Sequence, residues 1–447
     1  MKLAFFGATE GVTGSCYLLE CDTGKLLIDC GMHQGERTAS AENMAPFAFD
    51  VKSVDAVIVT HAHFDHTGRL PQLVKAGFAG TIYMTPPTKG ITEIVLEDSL
   101  NVMRDQARKH GEPIPFAEPE LKAALLLMKG VGYHTPFQPV PNVDVTFNDA
   151  GHILGSSFVT IDAEGKRIVF SGDIGNDDVP ILPDTEVLDH ADVVVCESTY
   201  GNKDHQPVHD RGDELGAYVT EIIGRGGTLL IPAFSVERTQ ELLYELDLLM
   251  QSGHIPRVPF YLDSPLAIRA TTLYQQYSAY LQFDHPASPD GNFFSFPTLR
   301  ATLTMKESLM IDNDRRPKVI IAGNGMMNGG RILRHCKKYL NDEKSGVLIV
   351  GFQAPMTTGR KIQEGAREVL IDHERVPVMA TIKTIEAFSA HGDRGKIARW
   401  LHPKNGAMPK VFLVHGEPHI KIAFAEYLRE HGIIDVSIPK TQQVFEV

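Results

Sequence analysis

The chain has 447 residues, 43% hydrophobic and 22% charged, with a formal net charge of -13 and a mean hydropathy of -0.11. The length suggests two domains rather than one, and no run approaches the roughly 18–20 apolar residues of a membrane helix. Net charge bears on solubility and steering, so the acidic balance leaves a nucleic-acid partner open if a groove carries the opposite local sign.

The N-terminus, MKLAFFGATEG, holds one Lys, a short strand-like run and a Gly-rich turn. It lacks the apolar segment and small-residue cleavage site of a secretory signal, and a cytoplasmic location is the default expectation. Apolar runs predict strands over 25–28 and 55–60, and helical patterns follow over 88–109 and 119–128. Further strands are expected over 143–147, 157–161, 167–170 and 192–196. Beyond them come a helix over 213–223, a strand over 228–231 and a helix over 236–250. The last predicted strands cover 319–321, 347–350, 384–388 and 411–414. From about residue 207 strand and helix alternate, as in α/β units, and after about 370 the strand-and-loop style of the first half returns. The expectation is an α/β domain at 207–370 inserted into a first domain made of 1–206 and 371–447. Five cysteines (Cys16, Cys21, Cys30, Cys196 and Cys336) with no C-x-x-C pair argue against a disulfide framework or a four-thiolate zinc site.

The run VDAVIVTHAHFDHTG places His61, His63, Asp65 and His66 just past an apolar strand. Imidazole nitrogen and carboxylate oxygen are the ligands of hydrolytic zinc sites. One His in a loop is ordinarily surface decoration; four ligand-type residues in six positions are not. The same placement recurs. Asp29, His152, Asp173, Glu197, His391 and His415 each follow a predicted strand, usually beside Gly or Ser. Strand ends gathered on one sheet edge hold distant ligands on rigid supports. Two ions about 3.5–4 Å apart activate a shared water and clamp a phosphoryl oxygen. Asp173 is the natural bridge, and a His outside the ligand set can protonate what leaves.

These residues resemble the metallo-β-lactamase superfamily, and more narrowly its β-CASP branch of nucleic-acid-processing enzymes, over essentially the whole chain. Asp29 matches the first motif, HAHFDH the second, and His152 and Asp173 the third and fourth. Glu197, His391 and His415 match motifs A, B and C of the branch. IPAFSVERTQELLYEL, FYLDSPLA and IAGNGMMNGGRIL are similar too. The chain is similar to bacterial and archaeal relatives of the endonuclease subunit of the cleavage and polyadenylation specificity factor.

The resemblance implies an αββα metallo-β-lactamase sandwich carrying an inserted α/β β-CASP domain. It implies two zinc ions per chain, one on His61, His63, His152 and Asp173, the other on Asp65, His66, Asp173 and His415. His391, held by Glu197, would contact the scissile phosphate and protonate the leaving oxygen; Asp65 is counted with them as catalytic. Asp29 would orient a ligand. A His at position 415 is similar to the RNA-processing members, so the implied partner is single-stranded RNA. Cleavage is expected to be endonucleolytic, with 5′-exonuclease action allowed beside it. Gly325, Arg331 and Ser389 are further candidates for substrate contact. Asn324 departs from the family, where Ser is usual. Neither the RNA-binding extension of archaeal relatives nor a long C-terminal extension is expected. Homo-oligomerisation is left open. The rival readings are a thioester or lactone hydrolase, a non-catalytic RNA-processing subunit, and a DNA nuclease.

Overall fold

The computed structural model describes residues 1–34, 39–205, 211–283, 293–354 and 356–447. It divides into two units. The first comprises Met1–Asp177, Leu182–Asp204 and His391–Val447; the second comprises Asp178–Ile181 and His205–Ala390.

The first unit holds two seven-stranded sheets. One runs, in spatial order, Val444–Glu446, Lys2–Phe5, Tyr17–Cys21, Gly24–Ile28, Ala56–Ile58, Thr81–Met84 and Met128–Gly130. The other runs Val436–Ser437, Lys410–Leu413, Val193–Cys196, Lys166–Phe170, Ser157–Ala163, Val143–Asp149 and Phe137–Val140. Alternate residues of both sheets, among them Leu3, Phe5, Leu19, Ile28 and Ile58 against Phe147, Ile161, Phe170 and Val195, share one apolar core. The outer face of the first sheet packs Leu18, Leu27 and Val57 on Leu70, Leu73, Leu96 and Leu121. The outer face of the second packs Val169, Val194 and Leu413 on Ile397, Trp400, Phe424 and Leu428. Helix, sheet, sheet, helix is therefore the observed layering. Burial on both faces explains why the central strands read as unbroken apolar runs.

Strand direction sets the site. Gly24–Ile28 and Ala56–Ile58 are parallel, as are Lys166–Phe170, Val193–Cys196 and Lys410–Leu413. Val143–Asp149 points the same way, two antiparallel pairings removed. Their C-terminal ends collect on one edge.

The second unit is a parallel sheet ordered Leu299–Ala301, Phe260–Leu262, Lys318–Ala322, Thr228–Pro232, Gly346–Ile349 and Thr381–Thr384. Two expectations shift here. Residues 371–390 stay with this unit rather than returning at 371, because Thr381–Thr384 pairs in register with Gly346–Ile349. The strand expected over 384–388 ends at Thr384, and Glu386–Phe388 is a turn of 3₁₀ helix. The helix expected over 88–109 starts earlier, at Pro86, since proline suits a first helical turn and the Thr85 hydroxyl caps it by accepting from Thr88 N–H. No helix among the described residues is long and apolar enough to cross a membrane.

Candidate metal centre and active site

His61 and His63 follow Ala56–Ile58 in extended backbone, and the short helix Phe64–Thr67 then turns Asp65 and His66 inward. The loop after Gly24–Ile28 is laced along that turn: Asp29 N–H donates to Ile58 O, Cys30 N–H to His66 O and Met32 N–H to Phe64 O. The contact is close enough that a Cβ on Gly31 would lie 1.5 Å from Asp65 O. Asp29 and His415 both take left-handed backbone, with φ of 57° and 49°. Such conformations cost of order 1–3 kcal/mol and persist where surroundings enforce them.

Two imidazole-rich donor groups result, beside a third formed by Asp173, Glu197 and His391. In the first, the donor atoms of His61, His63, His152 and Asp173 all lie within 4.8 Å of one another. His61 Nε2 is 3.0 Å from His63 Nδ1, and His152 Nε2 is 3.3 Å from it. Asp173 Oδ2 is 3.4 Å from His61 Nε2 and 3.5 Å from His152 Nε2. The second group is Asp65, His66 and His415. Asp173 turns its other oxygen to it: Oδ1 is 3.4 Å from His66 Nε2 and 3.7 Å from His415 Nδ1. His415 Nε2 is 3.4 Å from Asp65 Oδ2.

These separations fit cations. Bonds of about 2.0–2.1 Å to a tetrahedral zinc put neighbouring donors about 3.3 Å apart, and the donors already stand at 3.0–3.5 Å in the first group. Asp173 Oδ1 is buried and accepts no hydrogen bond from the described residues. A buried carboxylate oxygen without a donor is costly, and a cation between Asp173 and the imidazoles removes that cost.

Protonation of the three histidines of the first group agrees with ligation. Burial pushes the His61 imidazole down to about 3, His63 to about 4 and His152 well below its ordinary value, so all three are neutral donors. His66 goes the other way: burial opposes its charge, but Asp173 and Asp29 outweigh burial and raise it. Burial also opposes the charge on Asp65 and Asp173, and their histidine neighbours outweigh it and hold both carboxyls below the usual range. Asp29 grips the turn from below. It takes His66 Nδ1–H at 2.7 Å on Oδ2, and Thr60 N–H and the Thr60 hydroxyl at 2.8 Å each.

His391 lies outside the two imidazole-rich groups and clusters instead with Glu197 and Asp173. Its Nδ1 is 3.1 Å from each oxygen of Glu197 and 3.9 Å from Asp173 Oδ2. Glu197 is itself fixed by Ile174 N–H at 2.7 Å and the Thr199 hydroxyl at 2.6 Å. His391 pairs its backbone with Gly175, and Gly392 N–H donates to Ile174 O. Burial opposes the charge on His391, yet Glu197 and Asp173 outweigh it and raise the ring to about 9.

The structure thus brings His61, His63, Asp65, His66, His152, Asp173, His415, Asp29, Glu197 and His391 together in the first unit. Gly325, Arg331 and Ser389 belong to the second unit. Arg331 donates there to Asp263, Thr302 O and Leu303 O. Gly325 O accepts from Gln353 Nε2, and Ser389 N–H donates to Glu386 O. Thr60 and Thr199 are absent from the candidates that the sequence suggests. A threonine at a strand end is too ordinary to stand out, although each lies within two residues of a candidate ligand or acid.

Three family models match the chain: the Metallo-beta-lactamase superfamily over residues 9–137, the Beta-Casp domain over 239–362, and the Zn-dependent metallo-hydrolase RNA specificity domain over 375–439. Ribonuclease TTHA0252 of Thermus thermophilus is 38% identical over 443 residues, covering 97% of each chain. An RNase J-like protein of Methanocaldococcus jannaschii is 32% identical, covering 95% of this chain and 94% of that one. The transcription termination factor FttA of Methanosarcina mazei is 32% identical over 93% of this chain and 67% of its own. A crystal structure of a protein of unknown function from Enterococcus faecalis V583 shares the fold at 11% identity, with a TM-score of 0.56 over 99% of both chains.

Proposed function

Because the chain belongs to the metallo-β-lactamase superfamily in its β-CASP branch, a metal-dependent hydrolase of that family, we propose that it is a zinc-dependent ribonuclease hydrolysing phosphodiester bonds of single-stranded RNA. Cutting is internal, and the same site leaves room for 5′-exonuclease action beside it. The observation that carries the reading is the divided Asp173 carboxylate, one oxygen toward each donor group, with a Glu197-held His391 beside it. The match to an RNA specificity domain and the ribonuclease relative support RNA as the substrate.

Two divalent ions, when bound, would supply a nucleophile at neutral pH and offset charge on the phosphoryl group. His61, His63, His152 and Asp173 Oδ2 are the residues to hold one, and Asp65, His66, His415 and Asp173 Oδ1 the other. His391 carries the remaining chemistry. Glu197 engages Nδ1, orients the ring and favours its protonated form, and the proton on Nε2 goes to the departing nucleotide oxygen. A nucleotide alkoxide is a poor leaving group, so a positioned acid contributes about 10²–10⁴-fold.

The test is cleavage of end-labelled single-stranded RNA and the matching DNA by purified, metal-analysed protein, beside His63→Ala and His391→Ala variants. Internal RNA cuts are expected from wild type. His63→Ala loses metal and cutting together; His391→Ala keeps its metal and slows by about 10²–10⁴-fold. Folded, zinc-loaded wild type that cuts neither polymer ends the ribonuclease reading and turns the search to thioesters and lactones.

A further inference from the structure

Thr199 stands between the two parts of the site. Its hydroxyl oxygen lies 2.6 Å from Glu197 Oε2, 3.1 Å from His415 Nδ1 and 3.3 Å from His415 O. The residue is buried. A hydroxyl has one proton to give, and the short contact to a carboxylate is the stronger acceptor. With that proton on Glu197, the oxygen meets His415 Nδ1 with a lone pair, so Nδ1 must carry the hydrogen. Nε2 is then the bare nitrogen, and it is the one that lies 3.4 Å from Asp65 Oδ2 in the second donor group.

The same device occurs across the site. The Thr60 hydroxyl donates to Asp29 Oδ2 at 2.8 Å and lies 3.1 Å from His61 Nδ1, leaving His61 Nε2 to face Asp173. In both cases a threonine relays a carboxylate's demand for a proton into the choice of histidine tautomer. The two relays differ in what their carboxylate serves. Asp29 also holds the ligand His66, whereas Glu197 holds the proton donor His391.

We infer that Thr199 is a positioning residue that couples the Glu197–His391 pair to the second metal position, by fixing His415 with Nε2 turned to the cation. This rests on the two-cation reading of the site given above. Removing the hydroxyl leaves His415 Nδ1–H without that acceptor and frees the ring to take the wrong tautomer. Partners that orient metal-bound histidines are worth about 10–100-fold in metal affinity.

The full-length chain, stripped and titrated with zinc and with cobalt against a chelator, tests this in Thr199→Val and Thr199→Ser variants. The valine variant should hold one of two ions about 10–100-fold more weakly and show an altered cobalt absorption band. The serine variant should match wild type in both. Thr199→Ala tests the same hydroxyl if valine does not fold. Wild-type affinity and spectrum in the valine variant overturn the inference, as does a serine variant as impaired as valine, or a wild type that binds fewer than two ions. Wild type that binds two ions, with valine losing one, upholds the inference even if no RNA is cut, and then only the nuclease reading fails.

Discussion

Asp173 in the first unit and Asp263 in the second are both buried aspartates surrounded by histidine and other polar groups, yet they do opposite things. Asp263 is saturated with donors. Oδ1 accepts from the Thr302 hydroxyl at 2.6 Å and Arg331 Nη1 at 2.7 Å; Oδ2 accepts from the Ser308 hydroxyl at 2.6 Å and His335 Nε2 at 2.7 Å. Burial would raise its carboxyl, and these four donors outweigh burial and hold it below the usual range. Asp173 instead faces imidazole nitrogens at 3.4–3.9 Å, and its Oδ1 has no hydrogen bond from the described residues. A carboxylate ringed by N–H and O–H groups is a structural tie. One that faces buried neutral imidazoles such as His61 and His152, with an oxygen left without a donor, is what a cation site needs.

The largest test of that contrast is Asp173→Ala. Both donor groups lose their shared ligand, so RNA cutting should fall to background and bound zinc should drop, with the metal-free fold retained. A variant that keeps two zinc ions per chain would break the contrast.

Asp263→Ala should do the reverse. It leaves Arg331 and His335 without their buried partner, a change worth about 3–5 kcal/mol. Urea unfolding should register that loss while metal content stays at the wild-type value. Zinc lost along with stability would mean that the two clusters are not independent.

Chelation supplies a milder probe. Removing an ion present at 100 times its dissociation constant costs about 2.7 kcal/mol for each site emptied, and this should appear as a lowered midpoint in wild type. In the Asp263→Ala variant the chelation effect should simply add, because the two clusters share no residue. The smallest effect is expected at Asp29→Asn. It weakens the hold on His66 Nδ1 without removing a ligand, so competition with a chelator should show about 10–100-fold weaker metal binding.

Much of the site is legible in the order of the amino acids. Strands buried on both faces appear as apolar runs, so a His or acid breaking the run at its end stands out, as at His61, Asp173, Glu197 and His415. The run at 61–66 adds local density, because an extended pair and one helical turn converge without help from the rest of the chain. The alternation of strand and helix after residue 207 marks the second unit for the same reason of local periodicity. The return to the first unit at 391 rather than 371 is not legible, since it depends on Thr381–Thr384 pairing with a strand more than thirty residues earlier.

Which residue types stand at the strand ends is written in the chain, and with it the supply of metal-ligating and acid side chains. Which atoms meet is a property of the folded molecule. The Asp173 oxygens divide between donor groups drawn from residues 61–66, 152 and 415. Glu197 takes hold of His391, 194 residues away, and Thr199 of His415, 216 residues away. Hydrogen-bond direction and histidine tautomer are set by partners across the fold, and no local pattern of residues encodes which nitrogen faces the cation.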